Sequence, residues 1–175
     1  MANKKKLKQG LYHPKNEHDS CGVGFIANIH GTKSHRIVQQ GLEILTNLTH
    51  RGATGYDPKL GDGAGLLIQM PDEFFRNEAQ ILKIELPAVG HYGVGMVFLP
   101  QSKVAREKCE AIISKIIEEE DQAEIGWRKV PVNNENIANA ARDVEPVIKQ
   151  VIISRNKNCT SQDNFERKLF VIRKR

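Results

Sequence analysis

Two short apolar runs are each cut off by a proline: Gly65-Leu66-Leu67-Ile68-Gln69-Met70 before Pro71, and Tyr92-Gly93-Val94-Gly95-Met96-Val97-Phe98-Leu99 before Pro100. Proline has no backbone donor, so each run reads as a buried strand with a fixed end. The second run leads into Gln101–Asp121, where Ala105, Cys109, Ile112, Ile113 and Ile116 line one side at helical spacing. Strand and helix patterns alternate through the rest of the chain. Val23–Ile29 is a strand opened by Cys21 and closed by the turn His30-Gly31. Ile37, Leu42, Leu45 and Leu48 mark a helix with Ser34 as N-cap and Gly52 as stop. Residues 71–80 predict a short helix with Phe74 and Phe75 facing inward. Residues 124–132 and 147–154 predict strands, and 136–144 and 161–175 helices, the last with Phe165, Leu169 and Ile172 on one face. The class this predicts is α+β, with no repeat and no fixed topology.

Charge narrows the function classes. The net charge is +5, yet Met1–Ser20 carries +3 and Glu166–Arg175 carries +4, which leaves the remaining 145 residues at −2. The basic ends hold only Tyr12 and Phe170 as aromatics, so no base-stacking platform is present and no nucleic-acid partner is expected. No apolar run is long enough to span a bilayer, so no membrane is expected either. Three cysteines (Cys21, Cys109, Cys159) form no CxxC pair, which argues against a disulfide framework and a structural zinc site. Six histidines show no HxxxH spacing, and no metal site is expected. The basic N-terminus lacks the apolar core of a signal peptide, so the expected location is cytoplasmic.

Two places could carry chemistry. Cys21 stands at the head of an apolar run beside Gly22 and Gly24, where a substrate could approach the backbone closely and an amide is left free to donate. Most free cysteines are instead small buried hydrophobes, and spacing alone leaves both readings open. Arg51, in His50-Arg51-Gly52-Ala53, leaves a helix end for a loop that contains Gly61-Asp62-Gly63-Ala64-Gly65. Such an arginine can hold a carboxylate bidentately or orient a thiolate; equally, it can be a solvated residue beside a capping glycine. The glycine run is neither a P-loop nor a dinucleotide fingerprint. Cys109, on the apolar side of the long helix, is expected to pack, and Cys159, in a polar loop, to be exposed.

Taken together, Cys21-Gly-Val-Gly-Phe-Ile-Ala, His50-Arg-Gly-Ala and Gly61-Asp-Gly-Ala-Gly resemble the N-terminal glutaminase domain of the glutamate synthase large subunit, a class II glutamine amidotransferase. Pro71-Asp-Glu-Phe-Phe, Tyr92–Pro100 and Phe165-Glu-Arg-Lys-Leu continue the likeness, which runs from Cys21 to the end of the chain. The resemblance implies part of an N-terminal-nucleophile hydrolase fold, with two stacked antiparallel sheets between helix layers. It implies a leader, Met1–Ser20, removed at the Ser20–Cys21 bond, and a domain portion over 21–175. Cys21 would then attack the side-chain amide of L-glutamine with its own α-amine as base, and Arg51 would organise the site.

In this family the substrate-gripping residues and the oxyanion Asn–Gly pair lie beyond the position of Arg175. The resemblance thus implies an N-terminal fragment with little activity alone, unless a complementing chain supplies the rest. FMN and an iron–sulfur cluster are expected in the absent synthase domain of a full-length relative, and no cofactor in this chain. The alternative is a non-catalytic interaction or regulatory module that keeps the scaffold.

Overall fold

A computed structural model of the chain describes residues 22–52, 57, 59–61 and 63–175. The described residues fall into two compact units, one running up to Gln69 with Asn136–Asn139, the other formed by Met70–Glu135 and Ala140–Arg175.

The first unit is built on helix α1, His35–Asn47, which begins after Ser34 as predicted, although the Ser34 side chain makes no capping bond. Leu48 closes the helix and a single 3-10 turn, Thr49–Arg51, follows. Residues 23–29 and 65–70, which the sequence predicts as strands, are extended, and neither pairs into a sheet among the described residues. A strand is held by bonds to a neighbour, and apolar patterning by itself supplies none. The consequence is exposure: Val23, Phe25, Ile29 and Leu67 all lie open, with Leu67 at 99%.

The second unit contains a three-stranded antiparallel sheet in the order β1-β3-β2. Its strands are β1 (Tyr92–Leu99), β2 (Ala123–Lys129) and β3 (Val147–Ser154). The β-branched run Val151-Ile152-Ile153 is the buried centre of β3 and sends side chains to both faces. Val151 and Ile153 join Ile117, Ile113, Leu169 and Ile172 under two helices, α3 (Lys103–Glu119) and α5 (Gln162–Lys174). Ile152 joins Phe75 and Tyr92 on the opposite face, beside helix α2 (Asp72–Leu82). Ser102 and Ser161 cap α3 and α5 by accepting from Ala105 N–H and Asn164 N–H. A register shift between Glu124 and Gly126 marks a bulge in β2. The short helix α4 covers only Asn139–Arg142.

Several expectations need correction. Phe75 is buried but Phe74 is 44% exposed, because consecutive helix positions lie 100° apart and cannot share one narrow face. Ile112 is likewise exposed, and Ile117 is the helix residue that seats fully under the sheet. β2 ends at Lys129 rather than Val132, and Pro131 follows. Cys159, expected to be exposed, is half-buried with its Sγ 3.8 Å from the Ser161 carbonyl, and Cys109 is also half-buried.

Candidate functional site

The local structure around the two expected site positions is organised by α1. Gly24 lies so close to the helix that a Cβ there would sit 2.5 Å from Ile44 Cγ2. One turn earlier in the helix Gly41 is buried, and a Cβ there would meet Leu66 Cδ1 at 2.8 Å. Both segments that carry the expected motifs thus reach α1 through glycines, in contacts no larger residue fits without displacement. The spacing of the apolar residues in α1 did not reveal these contacts. Gly24 and Gly41 were the available signal, since glycine inside an element marks close backbone approach.

Cys21 and Ser20 lie outside the described residues, as does Asp62. Arg51 is placed by its backbone as the last residue of the 3-10 turn, and its side chain is outside the described set. Beside it, Gly52 N–H donates to the Thr49 carbonyl at 3.2 Å. The His50 ring donates from Nδ1 to the Asn47 carbonyl at 2.9 Å, a contact that sets the ring tautomer. The turn after the first segment is held by Asn28, whose Oδ1 accepts from His30 N–H at 2.8 Å, with Gly31 at φ +67°.

The second unit has two polar clusters that the sequence did not reveal. Tyr92 O–H donates to Asp72 Oδ1 at 2.8 Å, and Arg76 Nε donates to Asp72 Oδ2 at the same distance. Burial, then the hydrogen bond to Asp72 and its charge, push the Tyr92 hydroxyl up to about 12, with Arg76 opposing. Arg128, buried on β2, is paired with Glu78 and donates from Nη1 to Gln150 Oε1 at 3.0 Å. Each cluster joins α2 to the sheet, and each is satisfied internally. A cavity of about 300 Å³ beside Glu120, Asp121, Asn158, Cys159, Arg167 and Lys168 has both of its carboxylates engaged. Glu120 accepts from Lys168 and Arg175, and Asp121 accepts from Asn156. Among the described residues no three His, Cys, Asp or Glu side chains group to hold a metal, and no helix is long and apolar enough to cross a membrane.

Comparison with known proteins places the chain. The model of the class-II glutamine amidotransferases matches residues 21–175, so the chain belongs to that family. Within it, the relatives are glutamate synthases. The chain is 49% identical over 166 residues to the glutamate synthase [NADPH] large chain of Bacillus subtilis (strain 168), covering 95% of this chain and 11% of that protein. It is 39% identical over 165 residues to the glutamate synthase [NADPH] large chain of Azospirillum brasilense, covering 94% and 11%. It is 37% identical over 176 residues to the glutamate synthase [NADH] of Saccharomyces cerevisiae, covering 95% and 8%. The chain therefore spans about a tenth of the length of these relatives, as part of a glutamate synthase amidotransferase domain.

Proposed function

We propose that this chain supplies the nucleophile segment of a glutaminase that feeds glutamate synthesis, with L-glutamine as substrate and ammonia as the transferred product. The observation that carries the proposal is where the family match begins: at Cys21 itself, the residue set apart on chemical grounds beside Gly22 and Gly24. In this reading Met1–Ser20 is a leader, and breaking the Ser20–Cys21 bond gives Cys21 a free α-amine. A free thiol has a pKa near 8.5 and is only a few per cent thiolate at neutral pH. The neutral α-amine, with a pKa of about 8, takes the thiol proton as the sulfur attacks the glutamine amide carbon. The tetrahedral intermediate collapses to a γ-glutamyl thioester and ammonia, and water hydrolyses the thioester to glutamate. Arg51, at the end of the turn that follows α1, organises the surroundings of the nucleophile. The fold the proposal implies is part of an N-terminal-nucleophile hydrolase sandwich. A cytoplasmic, reducing setting suits a free nucleophilic thiol.

In this reading the FMN and iron–sulfur cluster of a full-length relative are not held by this chain. An iron–sulfur cluster needs several thiolates gathered at one place; Cys109 lies on α3 and Cys159 in the loop before α5, and no three His, Cys, Asp or Glu side chains come together among the described residues. In this reading those groups belong to another part of a longer synthase or to a complementing chain.

Catalysis by such a site depends on fixed donors facing the oxyanion; losing one costs about a hundred- to a thousand-fold. Segment 22–29, which continues directly from Cys21, has no ladder bonds among the described residues. The isolated chain is therefore expected to turn over glutamine slowly or not at all, while Cys21 remains alkylatable by a glutamine-analogue electrophile. Intact-mass analysis should find a species that begins at Cys21, labelled once, with Cys21→Ala unlabelled. An intact Met1 with equal labelling of Cys21 and Cys159 would instead identify a scaffold without a live site.

A further inference from the structure

The second unit runs α2-β1-α3-β2-α4-β3-α5, and its sheet order makes one position incomplete. β1 and β2 each pair antiparallel with β3, so they are parallel to one another with β3 between them. Helix α3 makes that crossover and is tied to its destination strand, where Ser114 Oγ donates to Glu124 Oε2 at 2.6 Å. Helix α5 leaves β3 on the same face of the sheet, where Ile117 of α3 and Leu169 and Ile172 of α5 pack in one cluster. It lies over β1, close enough that a Cβ on Gly93 would meet Leu169 Cδ1 at 2.7 Å. By the geometry of α3, a helix that leaves β3 and passes over β1 delivers its chain to the far side of β1, parallel to β3.

The edge it would meet is open. Arg155 N–H donates to the His91 carbonyl at 2.8 Å, one step past the Tyr92–Ser154 pair. Bonded pairs alternate in an antiparallel ladder, so Gly93, Gly95, Val97 and Leu99 bond to β3. The opposite ladder agrees, since Val130 N–H donates to the Ile148 carbonyl. The N–H and C=O groups of Val94, Met96 and Phe98 consequently point away from β3, and no strand pairs there among the described residues. Met96 and Phe98 are 52% and 65% exposed. β1 contains no proline, no charge and no bulge to blunt an edge.

We propose that the free edge of β1 receives a fourth strand, running antiparallel to β1 and apolar towards Met96 and Phe98. We assign it to the polypeptide that follows this region in the longer glutamate synthases, which have about nine-tenths of their length outside the matched part. A second copy of the chain could bring its own β1 or β2 edge, but would leave α5 without a destination strand. The proposal concerns the second unit alone and is independent of the chemistry at Cys21.

A synthetic peptide tests it. Its sequence is the residues that follow the matched region in the Bacillus subtilis relative, on the order of 20 to include a loop and a strand. Amide hydrogen exchange is followed on the full 175-residue chain with and without it. Val94, Met96 and Phe98 amides should slow at least tenfold with the peptide and not with a scrambled one, while Gly93, Gly95 and Val97 start protected and change little. Met96→Pro, which removes one outward donor and no bond to β3, should abolish that protection with the far-ultraviolet dichroism unchanged. If this variant fails to fold, the outward-against-inward contrast in the unaltered chain decides alone. Protection that appears on the β2 edge, that grows with protein concentration without peptide, or that is absent at all three outward amides would overturn the proposal.

Discussion

A single hydroxyl, that of Tyr92, shows how burial and partner choice set a property that sequence pattern does not reveal. Its ring sits in the core beside Phe75 and Ile152, and its O–H reaches a carboxylate already bound to Arg76. The folded state therefore keeps the Tyr92 proton up to about pH 12, whereas an unfolded tyrosine releases it near pH 10. Between those values the unfolded chain binds fewer protons, so the contribution is intact below pH 10 and lost as pH rises towards 12. Chemical denaturation at pH 9 and pH 11.5 should show this loss, on the order of 2 kcal/mol. Tyr92→Phe should be less stable at pH 9, through the lost hydrogen bond, but flatter across the interval; an equal slope in both proteins would contradict the assignment. At the same scale, Gly24→Val should weaken the first unit, because its branched side chain would enter space held by Ile44. Dichroism of α1 and the midpoint of thermal unfolding would report it. Little of this was legible in advance: Asp72 and Arg76 stand four residues apart on one helix while Tyr92 lies on a strand, and only the packing of α2 against β1 brings the hydroxyl to the carboxylate.

At the scale of elements, periodicity performed well wherever a face is buried against a neighbour. α2, α3, α5, β1 and β3 stand close to their expected bounds, because each has a stripe or a run that packs, whereas α1 ends at Asn47, short of the expected stop at Gly52. It failed where a partner was needed: 23–29 and 65–70 have strand composition and no strand alongside among the described residues. Helix α5 illustrates what a packed stripe is worth. Phe165 is fully buried at its first turn, and Leu169 and Ile172 follow on the same face. Phe165→Ala should cost about 3–5 kcal/mol, read as a shift in urea midpoint. At the other end of the helix Lys168 and Arg175 bind Glu120, and Arg175 also binds Glu119. The hydrogen bonds from Lys168 and then Arg175 hold the Glu120 carboxyl below its ordinary range. That contribution is present above the unfolded value and lost as pH falls through the folded one. Glu120→Gln should remove this acid sensitivity, and because Lys168 and Arg175 reach solvent the difference should shrink in high salt.

Across the whole molecule the two units differ in how their apolar residues are used, and this sets where the chain opens first. In the second unit the large apolar side chains of β3 and α5 are enclosed, with Ile152 at 1% and Phe165 at 0% exposure. In the first, Val23, Phe25, Ile29 and Leu67 stand in solvent on backbone that has no ladder partner among the described residues. Local stability follows buried contacts and paired backbone, so opening at these segments costs far less than opening the sheet. A protease needs an extended, unpaired stretch in its groove and so reads this difference directly. Brief digestion with a protease that cuts after large apolar residues should cleave at Phe25 and at Leu66 or Leu67 well before Tyr92, Phe165 or any site within β3. The same exposed side chains should bind a hydrophobic dye and drive association as concentration rises. Protection of Phe25 and Leu67 equal to that of Phe165 would mean that these segments are covered in solution. A cleavage rate that depends on concentration would then identify pairing between copies as the source of that order.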